Sequence, residues 1–274
     1  MPLLYVLWVV ALLTIIATAM LGSGTISYRL ARNLADTAQQ EATAEAAINR
    51  AVLALMDRRP ERRWRVNGAP HTFTFAATPM TVTIQDELGR VDLNNADTPL
   101  VTAALQAAGL SAQAAREISD KILDWRDKRP AKRLHGAKAP EYAAAGLAYR
   151  PRGGPLQSLE ELKLVLGMTP MTFTRAEPML TIYSGRPTID PQVASRELLA
   201  AIFRSGNQPM KVQDQPASAA RSGGLPPNTS LDGRAFSIRV KLGQTRATRE
   251  AVVRMTTSPT KSHWLLNWRT VRSD

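Results

Sequence analysis

Apolar side chains fill the first stretch of the chain and then retreat to one face. From Met1 to Tyr28 there is no Asp, Glu, Lys, Arg or His, and Leu3 to Leu21 is almost wholly Leu, Val, Ile, Ala and Met. At about 1.5 Å per residue, a helix over this stretch is long enough for a hydrocarbon layer of roughly 30 Å. The pattern predicts a membrane span; a cleaved secretory signal would have a shorter apolar run preceded by basic residues. Beyond Gly22 and Gly24 the apolar positions become Leu30, Leu34, Ala38, Ala44, Ile48, Val52 and Leu55. This is helical three-and-four spacing, with Arg29, Arg32, Asp36, Glu41, Glu45 and Arg50 on the remaining surface. One long helix follows, softened at the two glycines and closed by Arg58-Arg59-Pro60.

The period then changes to two. Phe73 and Phe75 alternate with Thr72 and Thr74, and Met80, Val82 and Ile84 alternate with Thr81, Thr83 and Gln85. Two half-buried strands joined near Ala77-Thr78-Pro79 are expected, lying against the amphipathic part of the helix. From Gly89 the pattern is helical again. Asp97 or Thr98 can cap a helix ending at Gly109, and Ser111 caps the next, through Ala115, Ile118, Ile122 and Trp125. Ser158-Leu-Glu-Glu161 reads as a capping box opening a helix that Gly167 stops. Asp190-Pro191 starts a further helix through Leu198, Leu199 and Ile202, and Lys128 to Pro155 reads as a long loop. Residues 205–232, rich in Pro, Gly and Ser, read as a linker. Strands return with Phe236, Ile238, Val240 and Leu242, then Ala251, Val253 and Met255. Trp264, Leu266 and Trp268 close the chain, with Leu265, Asn267 and Arg269 opposite.

Composition narrows the function. Zero cysteines in 274 residues exclude disulfides, a cysteine nucleophile and thiolate metal sites. Lys and Arg number 35 against 23 Asp and Glu, a net charge of +12 that favours anionic partners. Arg29 and Arg32 follow the apolar run, so the distribution of basic residues alone would put the body in the cytoplasm. There is no phosphate loop, no paired metal-binding histidines and no nucleophile elbow; His71, His135 and His263 fall in separate segments. No enzymatic activity, cofactor or catalytic residue is expected.

The order of long helix, two strands, helical block, linker and three strands resembles the minor pseudopilin K family of type II secretion systems (general secretion pathway protein K). The residues that carry the resemblance are Leu3-Leu-Tyr-Val-Leu-Trp-Val-Val-Ala-Leu12 and Gly89-Arg-Val-Asp-Leu-Asn-Asn-Ala96. It continues through Ile122-Leu-Asp-Trp-Arg-Asp127, Tyr149-Arg-Pro151, Ser158-Leu-Glu-Glu-Leu162, Val165-Leu-Gly-Met168 and Leu180-Thr181. The resemblance implies an α+β, pilin-like fold: a long N-terminal helix, half transmembrane, packed on an antiparallel sheet, with an inserted all-helical domain. The expected division is residues 1–28 (transmembrane half-helix), 29–89 (amphipathic helix and first strands), 90–204 (helical insert), 205–232 (linker) and 233–274 (final strands).

The function so implied is non-enzymatic. The chain would assemble with other minor pseudopilins, the I and J type subunits, and with inner-membrane secretion components, at the tip of a pseudopilus. Its helix would cross the bacterial inner membrane once and its body would lie in the periplasm, with a leader removed before Met1 and the new amino terminus methylated. Leu3, Leu4, Tyr5, Leu7, Trp8 and Leu12 are the expected membrane and assembly residues. Tyr5 stands where most pilin-like subunits carry a glutamate, an absence the K members share. Leu30, Leu34, Ile48, Val52 and Leu55 form the candidate docking face.

Two further readings compete. The family associates calcium with acidic residues after the Asp-Trp motif and in a Gly-Ala-Glu-Asp segment. Here Arg129 and Gly136-Ala-Lys-Ala139 replace acids that a six- to eight-oxygen site needs, so no metal is expected. Asp120, Asp124 and Asp127 then read as a solvated helix face balanced by Lys121 and Arg126. The alternative function is a membrane-tethered, helix-hairpin-helix DNA-binding protein, from Gly109-Leu110-Ser111 and Gly167-Met168-Thr169. Ser111 and Thr169 occupy the second glycine positions of such hairpins, which favours a structural role over a phosphate grip.

Overall fold

The computed structural model describes residues 2–57, 59–206, 230–243, 247–258 and 260–272, without the side chains of 18–27, 60, 247 and 272. Most of the expected linker, 205–232, lies outside the described residues. The chain divides into two units, Met1–Ala47 and Ile48–Asp274.

Helix α1 runs from Pro2 to Met56. Its final turns belong to the second unit, where Ile48, Ala51, Val52 and Leu55 are buried. Two antiparallel strands follow, β1 (Asn67–Phe75) and β2 (Thr78–Asp86). They are joined by Ala76 and Ala77, both at positive φ (46° and 63°), a conformation in which Cβ crowds the backbone and which glycine or asparagine fills more easily. The remaining strands are β3 (Val91–Asp92), β4 (Leu180–Thr181), β5 (Ala235–Leu242), β6 (Ala247–Met255) and β7 (His263–Arg272). The main sheet has the order β1-β2-β5-β6-β7 and every neighbouring pair is antiparallel.

Pairing sets Met80 beside Leu242, Val82 beside Val240 and Ile84 beside Ile238, and Phe236 beside Val253. These side chains share one buried apolar face. Together with the buried end of α1 they supply the hydrophobic contribution to this part of the fold, about 1.5–3 kcal/mol for each large side chain. The expected alternation fails in β7. A bulge between Val252 and Val253 leaves Leu266 without an opposite residue, so Leu265 pairs with Val253 while Trp264 pairs with Arg254. The extra residue exchanges the faces of Trp264 and Leu265 relative to Trp268. Trp264, Leu265 and Leu266 are exposed.

A helical block occupies the connection from β2 to β5. It contains α2 (Thr98–Ala107), α3 (Ala112–Arg126), α4 (Ala139–Ala144), α5 (Pro170–Ala176) and α6 (Arg196–Arg204). Asp97 caps α2 by accepting from the Leu100 amide, and Ser111 caps α3 by accepting from Ala114, as expected. Three expectations change. Ser158 makes no cap, and Leu159–Leu164 is a 3-10 segment. Glu161 is drawn away to the Gln157 amide, Arg152 and Trp125 instead of closing a box on Ser158. The helix expected from Asp190-Pro191 begins at Arg196 under a Ser195 cap, since the Asp190 side chain accepts from Gln192 within a turn. Helix α4 lies inside the stretch expected to be a loop, and β3 and β4 pair in parallel with only two residues each. Val91, Leu93, Leu105, Ile122, Trp125, Tyr142, Leu162, Leu180 and Leu198 are among the buried residues of the block's own core.

Asp86 and Arg234 mark where the block leaves β2 and returns to β5. Arg234 donates to Asp86 and, at 3.4 Å, to Asp190, and the Asp86 carboxylate also caps Leu88. Burial raises the Asp86 pKa to about 6 against the pull of Arg234. A folded pKa above the unfolded value of about 3.9 means stability is greatest below pH 4 and falls as pH rises through 6, by up to about 3 kcal/mol. The stability advantage of the native chain over Asp86→Asn should therefore shrink between pH 4 and 7 in urea unfolding; an advantage constant with pH would show that folding leaves the Asp86 pKa unshifted.

Candidate assembly surface

The segments from Gly89 onward that carried the resemblance meet in the helical block and hold one another. At Gly89 an added Cβ would lie 2.3 Å from the Val193 carbonyl oxygen, so only glycine admits that backbone approach. Arg90 forms a buried pair with Glu87 at 3.1 Å. Asp92 accepts from Asn94, Ser184 and Gly185, tying β3 to the chain after β4. Asn94 bonds Leu156 in both directions, through its side-chain nitrogen at 2.9 Å and its side-chain oxygen at 2.7 Å. Arg126, at the end of α3, donates to the carbonyls of Leu93 and Ala96. Trp125 donates to Glu161 at 3.1 Å, and its ring meets those of Tyr142 and Tyr149. Glu161 also receives Arg152. These enclosed polar groups stabilise the fold where they pair, while Glu87 Oε2 and Arg90 Nε are buried without a hydrogen-bond partner.

The acids expected on a solvated face are instead committed to the loop after α3. Asp124 is fully buried and receives the Arg133 amide and guanidinium, the latter at 2.6 Å. Asp127 receives Arg129 at 2.6 Å and Asp120 receives the His135 amide at 3.1 Å. The Arg129 side chain and backbone, with other nearby cations, hold Asp127 well below the usual carboxylate range. Lys138 Nζ donates at 2.8 Å to the carbonyls of both Asp124 and Asp127. Arg126 is engaged elsewhere, so Arg133, Arg129 and Lys138 are the balancing charges. A calcium ion does not fit these residues, because an ammonium already takes the carbonyl oxygens and a guanidinium the carboxylates. Among the described residues, no group of three or more His, Cys, Asp or Glu could hold a metal ion.

A second ion-pair centre joins the block to the face of the sheet opposite the apolar one. Arg269 on β7 contacts Glu160, Glu177 and Glu250, and Glu250 also receives Arg239 at 2.6 Å. Burial would raise the Glu250 pKa, but Arg239 and Arg269 outweigh it and hold the group low. Of this centre only Glu160 lay in a segment singled out by sequence, the expected capping box, and Arg269 read only as the outward member of an alternating strand.

The expected assembly residues divide. Leu3, Leu4, Tyr5, Leu7, Trp8 and Leu12 are all exposed on α1, as are Leu30 and Leu34. Ile48, Val52 and Leu55 are buried at 3%, 2% and 0%, so these three serve the protein's own core and offer no surface to a partner. Three-and-four spacing cannot tell a helix face that covers a sheet from one that awaits a partner. Among the described residues, no helix is long and apolar enough to cross a membrane. The span expected over 3–21 runs into 18–27, whose side chains lie outside the description. The hairpins at Gly109 and Gly167 carry their own caps, with Ser111 on Ala114 and Thr169 on Thr172, so those helix amides are not left open to a phosphate.

Residues 84–185 match the family model of the type II secretion system protein K. A chain in the crystal structure of the GspK-GspI-GspJ complex from the enterotoxigenic Escherichia coli type 2 secretion system is similar in fold. It aligns at a TM-score of 0.59 and 16% identity, over 88% of this chain and 99% of that one. Among curated protein sequences, none matches. Nothing in these likenesses supports the DNA-binding alternative.

Proposed function

We propose that the chain is a minor pseudopilin of the type II secretion system protein K family, that it assembles with I and J type subunits at the pseudopilus tip, and that it works without catalysis. It is held in the bacterial inner membrane by the start of α1, with its body in the periplasm. The observation that carries this reading is the set of exposed apolar residues on α1, at Leu3 to Ile16 and again at Tyr28, Leu30 and Leu34, in a chain whose residues 84–185 match protein K. Such a surface has a cost in water that lipid or neighbouring helices remove. The similar solved chain comes from a complex with I and J subunits. The tip position rests on bulk: an insert of this size, between β2 and β5, would obstruct a subunit stacked above it. The expected division into half-helix, first strands, insert at 90–204, linker and final strands belongs to the same proposal.

Replacing both Leu30 and Leu34 by aspartate should weaken co-purification with I and J type subunits at least tenfold, since a carboxylate buried without a partner costs several kcal/mol. Both positions are exposed, so the body should keep its fold. Undiminished co-purification of a folded double variant would remove α1 as the docking element. A reporter fused after Asp274 should be active only in the periplasm; cytoplasmic activity would refute the anchoring, and labelling repeated along the shaft would refute the tip position.

A further inference from the structure

Two backbone carbonyls and two carboxylates converge where α3 ends, an oxygen-rich arrangement of the kind that hard divalent cations seek. The carbonyls are those of Asp124 and Asp127, and the carboxylates belong to the same residues. The last carbonyls of any helix lack intrahelical partners, and the helix dipole makes that end attractive to positive charge. The Trp125 carbonyl is satisfied by the Gly153 amide at 2.8 Å, which leaves its neighbours to other donors.

We propose that Lys138, seconded by Arg133 and Arg129, is a built-in cation that takes the place of a bound divalent ion and makes this region independent of metal. The ammonium bridges Asp124 and Asp127 at 2.8 Å to each carbonyl. The Arg133 guanidinium neutralises buried Asp124, and Arg129 neutralises Asp127. The backbone is held to match: the Lys138 amide donates to Glu141 at 2.8 Å, and Lys132 fixes the other oxygen of Glu141 at 2.6 Å. A tethered ammonium cannot dissociate or be chelated, so the loop stays closed at any calcium concentration.

The test uses the full chain in detergent, with calcium chloride or a chelator as the probe. The thermal midpoint of the native chain should be the same with millimolar calcium and with chelator, and calorimetric titration with calcium should give no saturable heat. Lys138→Met should lower the midpoint by several degrees in both solutions, while Lys138→Arg should recover most of the loss. Saturable calcium binding, or a chelator-sensitive native midpoint, would overturn the proposal, as would a Lys138→Met midpoint equal to the native one. Should Lys138→Met fail to fold, the calorimetry and the chelator comparison on the native chain still decide.

Discussion

Gly136→Ala is expected to destabilise the chain by about 3–5 kcal/mol, the range for uncoupling a buried ion pair. A Cβ at Gly136 would sit 1.8 Å from Asp124 Oδ2 and 2.9 Å from the Arg133 amide nitrogen. The obstacle does not yield cheaply. Asp124 is fully buried and held by two bonds from Arg133, so making room means pulling the carboxylate off that guanidinium. Urea unfolding followed through tryptophan fluorescence should report the loss, since Trp125 lies one residue from Asp124. A cost below about 1 kcal/mol, typical of a tolerated surface change, would show that the loop can move aside and that the Asp124–Arg133 pair is not a fixed point.

Arg269→Met should cost about 3 kcal/mol and loosen the helical block from the sheet. The change leaves Glu160 and Glu177 without the cation that joins them, and leaves buried Glu250 with Arg239 as its cation. Removing one partner of a buried network costs more than the network contributes, because the charges left behind remain desolvated. Glu250 has a folded pKa below its unfolded value, so its contribution is present above about pH 4.3 and lost as pH falls through the folded value. Double substitution with Glu250→Gln should restore part of the stability, since it removes the most deeply buried carboxylate that Arg269 had helped to neutralise. A double variant no more stable than Arg269→Met would assign the loss to packing of the arginine stem.

The main elements were legible because their signals are local. Alternation marked β1, β2, β5 and β6, and Asp97 and Ser111 announced two helix starts through bonds that span three residues. Capping residues misled where a distant partner outbid the local one. Glu161 sits where a capping box wants it, but Arg152 and Trp125 take its carboxylate, and the segment tightens into a 3-10 turn. Asp190 precedes a proline as a helix start would, yet its turn closes on Gln192 and the helix waits for Ser195.

What the sequence by itself determined is the order of elements, the apolar first stretch and the likeness to protein K. Periodicity, composition and short motifs are one-dimensional quantities, and each of these follows from one of them. Only the tertiary structure decided which partners the charged residues take. It turned Asp124 from a solvated helix position into a buried anchor, gave Lys138 two helix-end carbonyls, and joined Arg269 to three glutamates spread along the chain. It also divided the amphipathic face, leaving Leu30 and Leu34 exposed while Ile48, Val52 and Leu55 entered the core. The physical reason is common to all of these. A helical stripe records that a face is apolar and a charge records that it needs a counter-charge, but which surface or which ion answers depends on distances that close only when segments far apart in sequence pack together.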